Sequence, residues 1–250
     1  MFERLRILLH NGKQYIPDPT RAEVPGVFRG RPVISTEKAD DDELVELCPT
    51  GAIASEEGLS IDLGKCCFCG ECARKCPDKI RFTKDHKMAT NVRERLVVKE
   101  GEDRPIELDK AAIRPEIREI YSGSLKLRQV SAGGDNSCEW ELGAISNVNF
   151  DAGRYGIEFV ASPRHADGVV VTGPITRNMS RALAICDEAV PDPRIVVLAG
   201  TDAISGGIFE GSKELDRSWL ESRKPDLYIP GNPCHPLTVI DGLLALTRSR

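Results

Sequence analysis

The sequence lacks any apolar run long enough to cross a lipid bilayer. Its longest apolar stretches, "GVVVTG" at 168–173 and "RIVVLAG" at 194–200, have the length of strands. The amino-terminal "MFERLRILLHNGKQYIP" has neither the basic-then-apolar order nor the small-residue cleavage site of a signal peptide. No basic stripe occurs and the net charge is −5, so we expect no nucleic-acid partner. With 40% hydrophobic and 29% charged residues, the composition predicts a soluble globular protein.

Cysteine is the residue type whose distribution is most informative. The chain has nine cysteines, and six of them fall between residues 48 and 76. In a chain without an export signal, such clustering favours metal binding over disulfides. We therefore expect a reducing compartment, the cytoplasm.

The stretch "KCCFCGECARKCP" at 65–77 carries the strongest motif. Cys66, Cys69, Cys72 and Cys76 follow the spacing C-x2-C-x2-C-x3-C-P of bacterial-type iron–sulfur ferredoxins. In this run the fourth cysteine usually binds a different cluster from the first three. A shift of 28 residues, from 76 back to 48, places this fourth cysteine and its proline on a second Cys-Pro pair at Cys48. The segment therefore has the internal repeat of a two-cluster ferredoxin.

Only one of the two cluster sites in this repeat is complete. The same shift carries the three loop cysteines back to Lys38, Asp41 and Leu44, which cannot hold an iron–sulfur cluster. We therefore predict one [4Fe–4S] cluster, bound by Cys48, Cys66, Cys69 and Cys72. Two alternatives stay open: Cys76 could replace Cys48 as the fourth ligand, or the cysteines could bind zinc. The pattern gives no role to Cys67.

Composition divides the chain into four segments. Residues 1–30 form a lead-in with scattered proline and glycine, and residues 31–90 a predicted α+β, ferredoxin-like domain with the [4Fe–4S] site. Residues 91–122 are highly charged and are predicted to be a linker or docking arm, with a short helix interrupted by Pro115. Residues 123–250 alternate between strand and helix patterns.

The alternation after residue 123 predicts a parallel sheet covered on both faces, with sites at the carboxyl ends of its strands. Thr176 is the predicted N-cap of one helix, and "HPLTVIDGLLAL" predicts a helix at the end of the chain. The predicted strands are Leu125–Val130, Ile157–Val160, Val169–Thr172, Ile195–Ala199 and Leu227–Ile229.

Four stretches in this last segment carry a resemblance: "SLKLRQVSAG", "FDAGRYGIEFVASPRHADGVVVTGPITRNM", "PDPRIVVLAG" and "YIPGNPCHP". Residues 123–246 resemble the small, cluster-carrying subunit of group 4 [NiFe] hydrogenases of the formate hydrogenlyase type. They are also similar to the 20 kDa subunit of respiratory complex I. The resemblance implies an α/β, flavodoxin-like fold. The amino-terminal part resembles a ferredoxin-type electron-transfer subunit of the same complexes, here fused to the small subunit.

The resemblance implies a [4Fe–4S] cluster on four cysteines of three loops, but this chain departs from that motif. Asp135 precedes the one cysteine in register, Cys138, and Asp202 falls in a loop that has no cysteine. Asn232 takes the place of the fourth cysteine, on the third loop, and Cys234 comes two positions late. We expect a scaffold without a second cluster. Two alternatives stay open: an altered centre on Asp135, Cys138, Asp202 and Cys234, or a different metal with His235 as an extra ligand.

The chain is thus expected to be an electron-transfer subunit of a membrane-associated complex resembling a group 4 hydrogenase or complex I. Expected partners are a large subunit, membrane subunits and an external redox partner. Because no nucleophile, general base or substrate pocket is evident, catalysis is assigned to the assembly. The expected place is cytoplasmic, peripheral to the membrane through partner subunits. The alternative function is a structural subunit of a related complex that has lost hydrogenase chemistry.

Overall fold

The computed structural model describes residues 2–12 and 14–248. Short antiparallel strands form the cysteine-rich part, and a five-stranded parallel sheet forms the rest. The helices are α1 (Phe2–Asn11), α2 (Asp41–Leu47), α3 (Glu71–Lys75), α4 (Pro115–Tyr121), α5 (Ser137–Ala144), α6 (Arg177–Glu188), α7 (Thr201–Ser205), α8 (Trp219–Ser222) and α9 (Pro236–Thr247). The strands are β1 (Pro32–Ile34), β2 (Ile53–Ala54), β3 (Ser60–Asp62), β4 (Ile80–Phe82), β5 (Val97–Lys99), β6 (Leu125–Ser131), β7 (Ile157–Phe159), β8 (Gly168–Thr172), β9 (Ile195–Ala199) and β10 (Leu227–Ile229).

The cysteine-rich part consists of two strand–helix–strand units, β1-α2-β2 and β3-α3-β4. β1 pairs antiparallel with β4, with Val33 opposite Arg81, and β2 pairs antiparallel with β3, with Ile53 opposite Ile61. The paired positions are themselves related by 28 residues, 33 to 61 and 53 to 81. Each unit therefore lends a strand to the other, and β5 adds to β3 as a third strand of the second sheet.

Helix α2 determines where Cys48 lies. Asp40 caps the helix, because its carboxylate accepts a 3.1 Å hydrogen bond from the backbone N–H of Glu43. Leu44 is fully buried and fixes the helix face that packs on the core. The helix ends at the residue before Cys48, where Pro49 disfavours a helical conformation for Cys48.

The parallel sheet has the strand order β7-β6-β8-β9-β10. Numbered from β6 within the sheet, this order is 2-1-3-4-5, which is consistent with a flavodoxin-like fold. β8 and β9 are buried along their whole length, as expected of central parallel strands with helices on both faces. The five predicted strands and the two predicted helices, α6 and α9, are thereby confirmed, and Thr176 is the N-cap residue of α6.

Each face of the sheet has its own apolar core. On one face, Leu127 and Val197 pack with Ile117 of α4 and Leu243 of α9. The other face continues without interruption into the cysteine-rich part. Its buried residues include Val130, Val171, Leu198, Leu183, Trp219, Ile34, Ile61, Ile80 and Cys66. The cysteine-rich part is thus packed on the sheet-bearing part through a shared core.

In the charged segment 91–122, the helix lies differently from the prediction with respect to Pro115. Pro115 begins α4 instead of interrupting a helix, since a proline at the first helical position needs no N–H partner. Ile117 and Tyr121 of this helix are buried. The segment's role as a linker or docking arm stays a prediction. In the described ranges, no helix is both long and apolar enough to span a bilayer.

Candidate metal centre

Five thiols line one cavity between α2 and the loop that follows β3: those of Cys48, Cys66, Cys67, Cys69 and Cys72. Cys76 is partly exposed and is not among the residues that line this cavity. The cavity wall also contains the apolar residues Leu47, Pro49, Ala52, Ile53, Ile61 and Phe82. The structure therefore brings the four predicted ligands together, with Cys67 beside them.

Backbone N–H groups point at two of these sulfurs. The N–H of Ala52 donates to Cys48 Sγ at 3.2 Å, and the N–H of Phe68 donates to Cys66 Sγ at 3.3 Å. The cysteine loop turns tightly around Cys66 and Cys69, because Phe68 and Gly70 have positive φ angles of 55° and 76°. Hydrogen bonds of this kind stabilise a thiolate, and around a cluster they tune its reduction potential.

The base of the loop is held by an ion pair. Asp62, the last residue of β3, accepts two hydrogen bonds from the guanidinium of Arg93, at 2.8 and 2.7 Å. The backbone carbonyl of Asp62 also accepts from the N–H of Cys66 at 2.9 Å. The bidentate pair fixes the residue from which the cysteine loop departs.

Two of the cavity thiols, Cys66 and Cys72, hold their protons more tightly than a free cysteine does. Burial raises the pKa of the Cys66 thiol well above its usual range, and it raises the pKa of Cys72 to about 11. Neighbouring cysteines add to both shifts, because several thiolates in one cavity repel each other. A metal centre bound to these thiols would supply positive charge that favours the thiolates, so its binding would release protons.

The ligands of a single metal ion and those of an iron–sulfur cluster are arranged differently in space. Across residues 2–12 and 14–248, no three His, Cys, Asp or Glu side chains surround one metal-ion position. A cubane binds each thiolate at a different corner, so its ligands enclose a space instead of meeting at one point. Thiols that line the walls of one cavity fit the second arrangement.

The cysteine loop is also held from two distant segments. The hydroxyl of Thr201, at the start of α7, donates to the Cys66 carbonyl at 2.8 Å, and both residues are buried. Lys65 forms a 2.9 Å ion pair with Glu210. From the lead-in, Arg29 Nη1 donates to the Phe68 carbonyl at 3.1 Å. The sequence pattern predicts none of these contacts, because they join residues far apart in the chain.

The second candidate set, at the carboxyl ends of the parallel strands, is arranged differently. Cys138 is buried in α5, and Cys234, before α9, is fully buried. A hydrogen bond with Cys138 and burial together raise the pKa of the Cys234 thiol. A Cβ at Gly200 would lie 2.4 Å from Cys138 Sγ, so the thiol fills the space that a side chain on Gly200 would need. These two cysteines pack against protein and against each other.

Asp135 and His235 are engaged in local hydrogen bonds, whereas Asp202 Oδ1 is buried without a hydrogen-bond partner among the described residues. Asp135 is exposed and accepts from the N–H and hydroxyl of Ser137 at 2.9 and 2.6 Å, which lowers its pKa. Burial raises the pKa of Asp202, with Asp135 contributing. His235 caps α9, because its Nδ1 accepts from the N–H of Leu237 at 3.2 Å. Asp135, Cys138, Asp202 and Cys234 therefore do not fit a cubane, and we derive no redox step through them.

One buried carboxylate near this set has no counterpart in the sequence pattern. Glu139 of α5 accepts from the hydroxyl of Thr172 at 2.6 Å and from the hydroxyl of Ser131. Ser131 ends β6 and Thr172 ends β8, so the carboxylate ties α5 to the two strands where the strand order reverses. This is the place where ligands bind in such sheets.

A parallel sheet in the order 2-1-3-4-5, with helices on both faces and cysteines at the carboxyl ends of its strands, defines a doubly wound α/β protein. The sequence of the same part matches the family model "NADH ubiquinone oxidoreductase, 20 Kd subunit" over residues 136–246. The chain belongs to this family.

The relatives include subunits of hydrogenases and of quinone oxidoreductases. The chain is 33% identical to a "Probable membrane-bound hydrogenase subunit" of Pyrococcus furiosus over 46% of this chain and 69% of that protein. It is 37% identical to "Formate hydrogenlyase subunit 7" of Escherichia coli, over 53% and 52% of the two chains. For an NADH-quinone oxidoreductase subunit of Citrifermentans bemidjiense the identity is 37%, over 44% and 64%. The chain thus spans between half and about two thirds of these relatives.

Proposed function

We propose that this chain is an electron-transfer subunit of a membrane-associated complex that resembles a group 4 [NiFe] hydrogenase or complex I. A single [4Fe–4S] cluster is assigned to Cys48, Cys66, Cys69 and Cys72. The observation that carries the proposal is the cavity lined by all four of these thiols, with apolar side chains in its wall and Cys76 outside it.

The exchange of strands in the cysteine-rich part supports a ferredoxin-like arrangement. β1 pairs with β4 and β2 with β3, so the end of the first strand–helix–strand unit lies beside the second. Cys48 belongs to the first unit and the three loop cysteines to the second. A remote fourth ligand from the other repeat is the pattern of two-cluster ferredoxins.

Residues of this chain would bind such a cluster, donate hydrogen bonds to its ligands and exclude water from it. The four thiolates hold it, and a cluster of this kind supplies one-electron transfer when bound. The N–H groups of Ala52 and Phe68 donate to two of the sulfurs, and Ile53, Ile61 and Phe82 help to exclude water from the site. Burial and donated hydrogen bonds are two of the features that set a cluster's potential.

The partners follow from the relatives, which are subunits of a membrane-bound hydrogenase, formate hydrogenlyase and NADH-quinone oxidoreductase. We assign this chain a large-subunit partner, membrane subunits of the same complex and an external redox partner. It would lie at the membrane periphery through those subunits. No residue is assigned to catalysis, which belongs to the assembly.

The packing of Cys138 against Cys234 favours a second candidate, a structural subunit of a complex that has lost hydrogenase chemistry. With both thiols buried in the core, the sheet-bearing part serves as a scaffold. The remaining cluster would then mainly hold the amino-terminal part together. Under this alternative, the large-subunit partner would lack the cysteine pairs that bind nickel.

A redox titration of the chain, purified without oxygen and followed by EPR, distinguishes the two functions. Electron transfer predicts a cluster that is reduced and reoxidised reversibly at potentials accessible to biological carriers. A loaded cluster that never changes oxidation state in this range would leave only the structural function.

A further inference from the structure

We propose that Arg29, from the lead-in segment, raises the reduction potential of the cluster by holding a positive charge against its binding loop. This inference rests on the proposed function, since it needs the cluster to be bound. It assigns to one residue, outside the cysteine motif, control of the potential at which the subunit accepts an electron.

The guanidinium of Arg29 lies directly on the loop around Cys69. Its Nη1 donates to the Phe68 carbonyl at 3.1 Å, on one side of this ligand. On the other side, a Cβ at Gly70 would lie 2.6 Å from Arg29 Nε. Both Cys69 and Gly70 line the cavity. The absence of a side chain at Gly70 is thus what lets the charge approach the loop.

Among the described residues, no carboxylate lies within 4 Å of the Arg29 guanidinium, in contrast to two other arginines near the cysteine loop. Arg31 pairs with Asp103 at 2.7 Å, and Arg93 pairs with Asp62. None of the ion pairs within 4 Å in the described ranges includes Arg29. Its positive charge is therefore not cancelled by an adjacent acid.

Reduction of the cluster adds one electron, and the energy of that electron depends on nearby charge. A cation close to the site stabilises the reduced form more than the oxidised form, which makes the potential less negative. Arg29 is partly exposed, so dissolved salt screens part of its effect. The sign of the effect and its dependence on salt both follow from the charge, not from the hydrogen bond.

The test compares midpoint potentials of the full chain and three variants by EPR-monitored titration at low and high ionic strength. Arg29→Gln removes the charge, and Arg29→Lys keeps it while changing the donor to Phe68. Arg21→Gln is the control, since Arg21 lies in the same segment with its side chain 88% exposed. Iron and acid-labile sulfide are measured on every sample.

We expect a more negative potential in Arg29→Gln, a difference from wild type that shrinks in high salt, and near-wild-type values for Arg29→Lys and Arg21→Gln. An unchanged potential in fully loaded Arg29→Gln overturns the inference while leaving the proposed function intact. Should Arg29→Gln lose iron, Arg29→Met takes its place. If both neutral variants lose iron and Arg29→Lys does not, Arg29 is a structural residue and the inference is wrong. A wild-type chain without cluster contradicts the proposed function itself.

Discussion

The hydroxyl of Thr201 donates a 2.8 Å hydrogen bond to the backbone carbonyl of Cys66, across 135 residues of sequence. Thr201 is the first residue of α7, which follows β9, and Cys66 begins the cysteine loop that lines the cavity. The contact joins the parallel sheet to the candidate cluster site through one buried bond. The position of the cysteine loop therefore depends on the sheet-bearing part.

This contact gives the first prediction. Thr201→Val keeps the shape of the side chain but leaves the buried Cys66 carbonyl without its donor, so the free energy of unfolding should fall by about 1–2 kcal/mol. Denaturant unfolding measures it, with Thr36→Val as the matched control because Thr36 is exposed. Equal stabilities for the two variants would show that the bond contributes nothing.

The second prediction separates Cys48 from Cys76. Cys48→Ala removes a thiol from the cavity wall and should abolish stable cluster binding, whereas Cys76→Ala should leave iron content at the wild-type level. Iron and sulfide analysis of both variants, purified without oxygen, shows whether Cys48 or Cys76 is the fourth ligand. The opposite result, with iron retained in Cys48→Ala and lost in Cys76→Ala, would make Cys76 the fourth ligand.

A buried carboxylate in the sheet-bearing part gives the third prediction. Asp187 of α6 is 1% exposed and lies 3.2 Å from Arg194 Nε and 2.6 Å from Arg223 Nε. Asp187→Asn should lower the free energy of unfolding by about 3 kcal/mol, because both cations lose their buried counter-charge.

The control for this prediction is Asp192→Asn. Asp192 is 81% exposed and lies 3.7 Å from the same Arg194, so its loss should change stability by less than about 1 kcal/mol. Urea unfolding measures both variants. A difference of less than about 1 kcal/mol between them would mean that burial does not strengthen the Asp187 pairs.

The fourth prediction concerns acid. Burial lowers the pKa of His235 to about 4, with His86 adding to the shift, and burial also lowers the pKa of His86. In the unfolded chain the pKa of histidine is about 6.5. Below that pH the unfolded chain therefore binds more protons than the folded chain. Stability should fall as the pH drops from 6.5 towards 4, by on the order of 1–2 kcal/mol for His235 after allowing for its partial exposure.

His235→Asn tests this dependence, since asparagine can still cap α9 but does not titrate. Unfolding free energies at pH 7 and pH 5.5 should differ less in the variant than in the wild type. His86 keeps part of the slope in both proteins. Identical slopes would contradict the assignment of the acid sensitivity to His235.

Much of the parallel sheet could be predicted because its strands are apolar throughout and its helices carry a clear period. β8 reads GVVVT and β9 reads IVVLA, and such apolar runs are typical of parallel strands buried on both faces. The predicted short helix over 107–121, interrupted by Pro115, corresponds in the structure to a 3-10 turn at Lys110–Ala112 and to α4, which begins at Pro115. At the first helical position proline is favoured, and Ile117, two residues further on, is buried.

The candidate site also has features that the sequence predicts and contacts that it does not. Its cysteines have local spacings that a motif records, and the 28-residue repeat links Cys48 to them. Arg29 and Thr201 were not predicted, since each reaches the loop from a distant segment and each contact is made to a backbone carbonyl. Contacts to the backbone leave no complementary pattern in the side chains, so only the folded structure reveals them.

The most direct test is iron and acid-labile sulfide per chain, with EPR of the reduced protein, on material purified without oxygen. We predict about four irons and four sulfides per chain and a single cubane-type signal, which is lost in Cys48→Ala. A chain with zinc or no metal would contradict the proposed electron-transfer role. About eight irons, with a second signal lost in Cys138→Ala, would instead show that Cys138 and its neighbours hold a working centre.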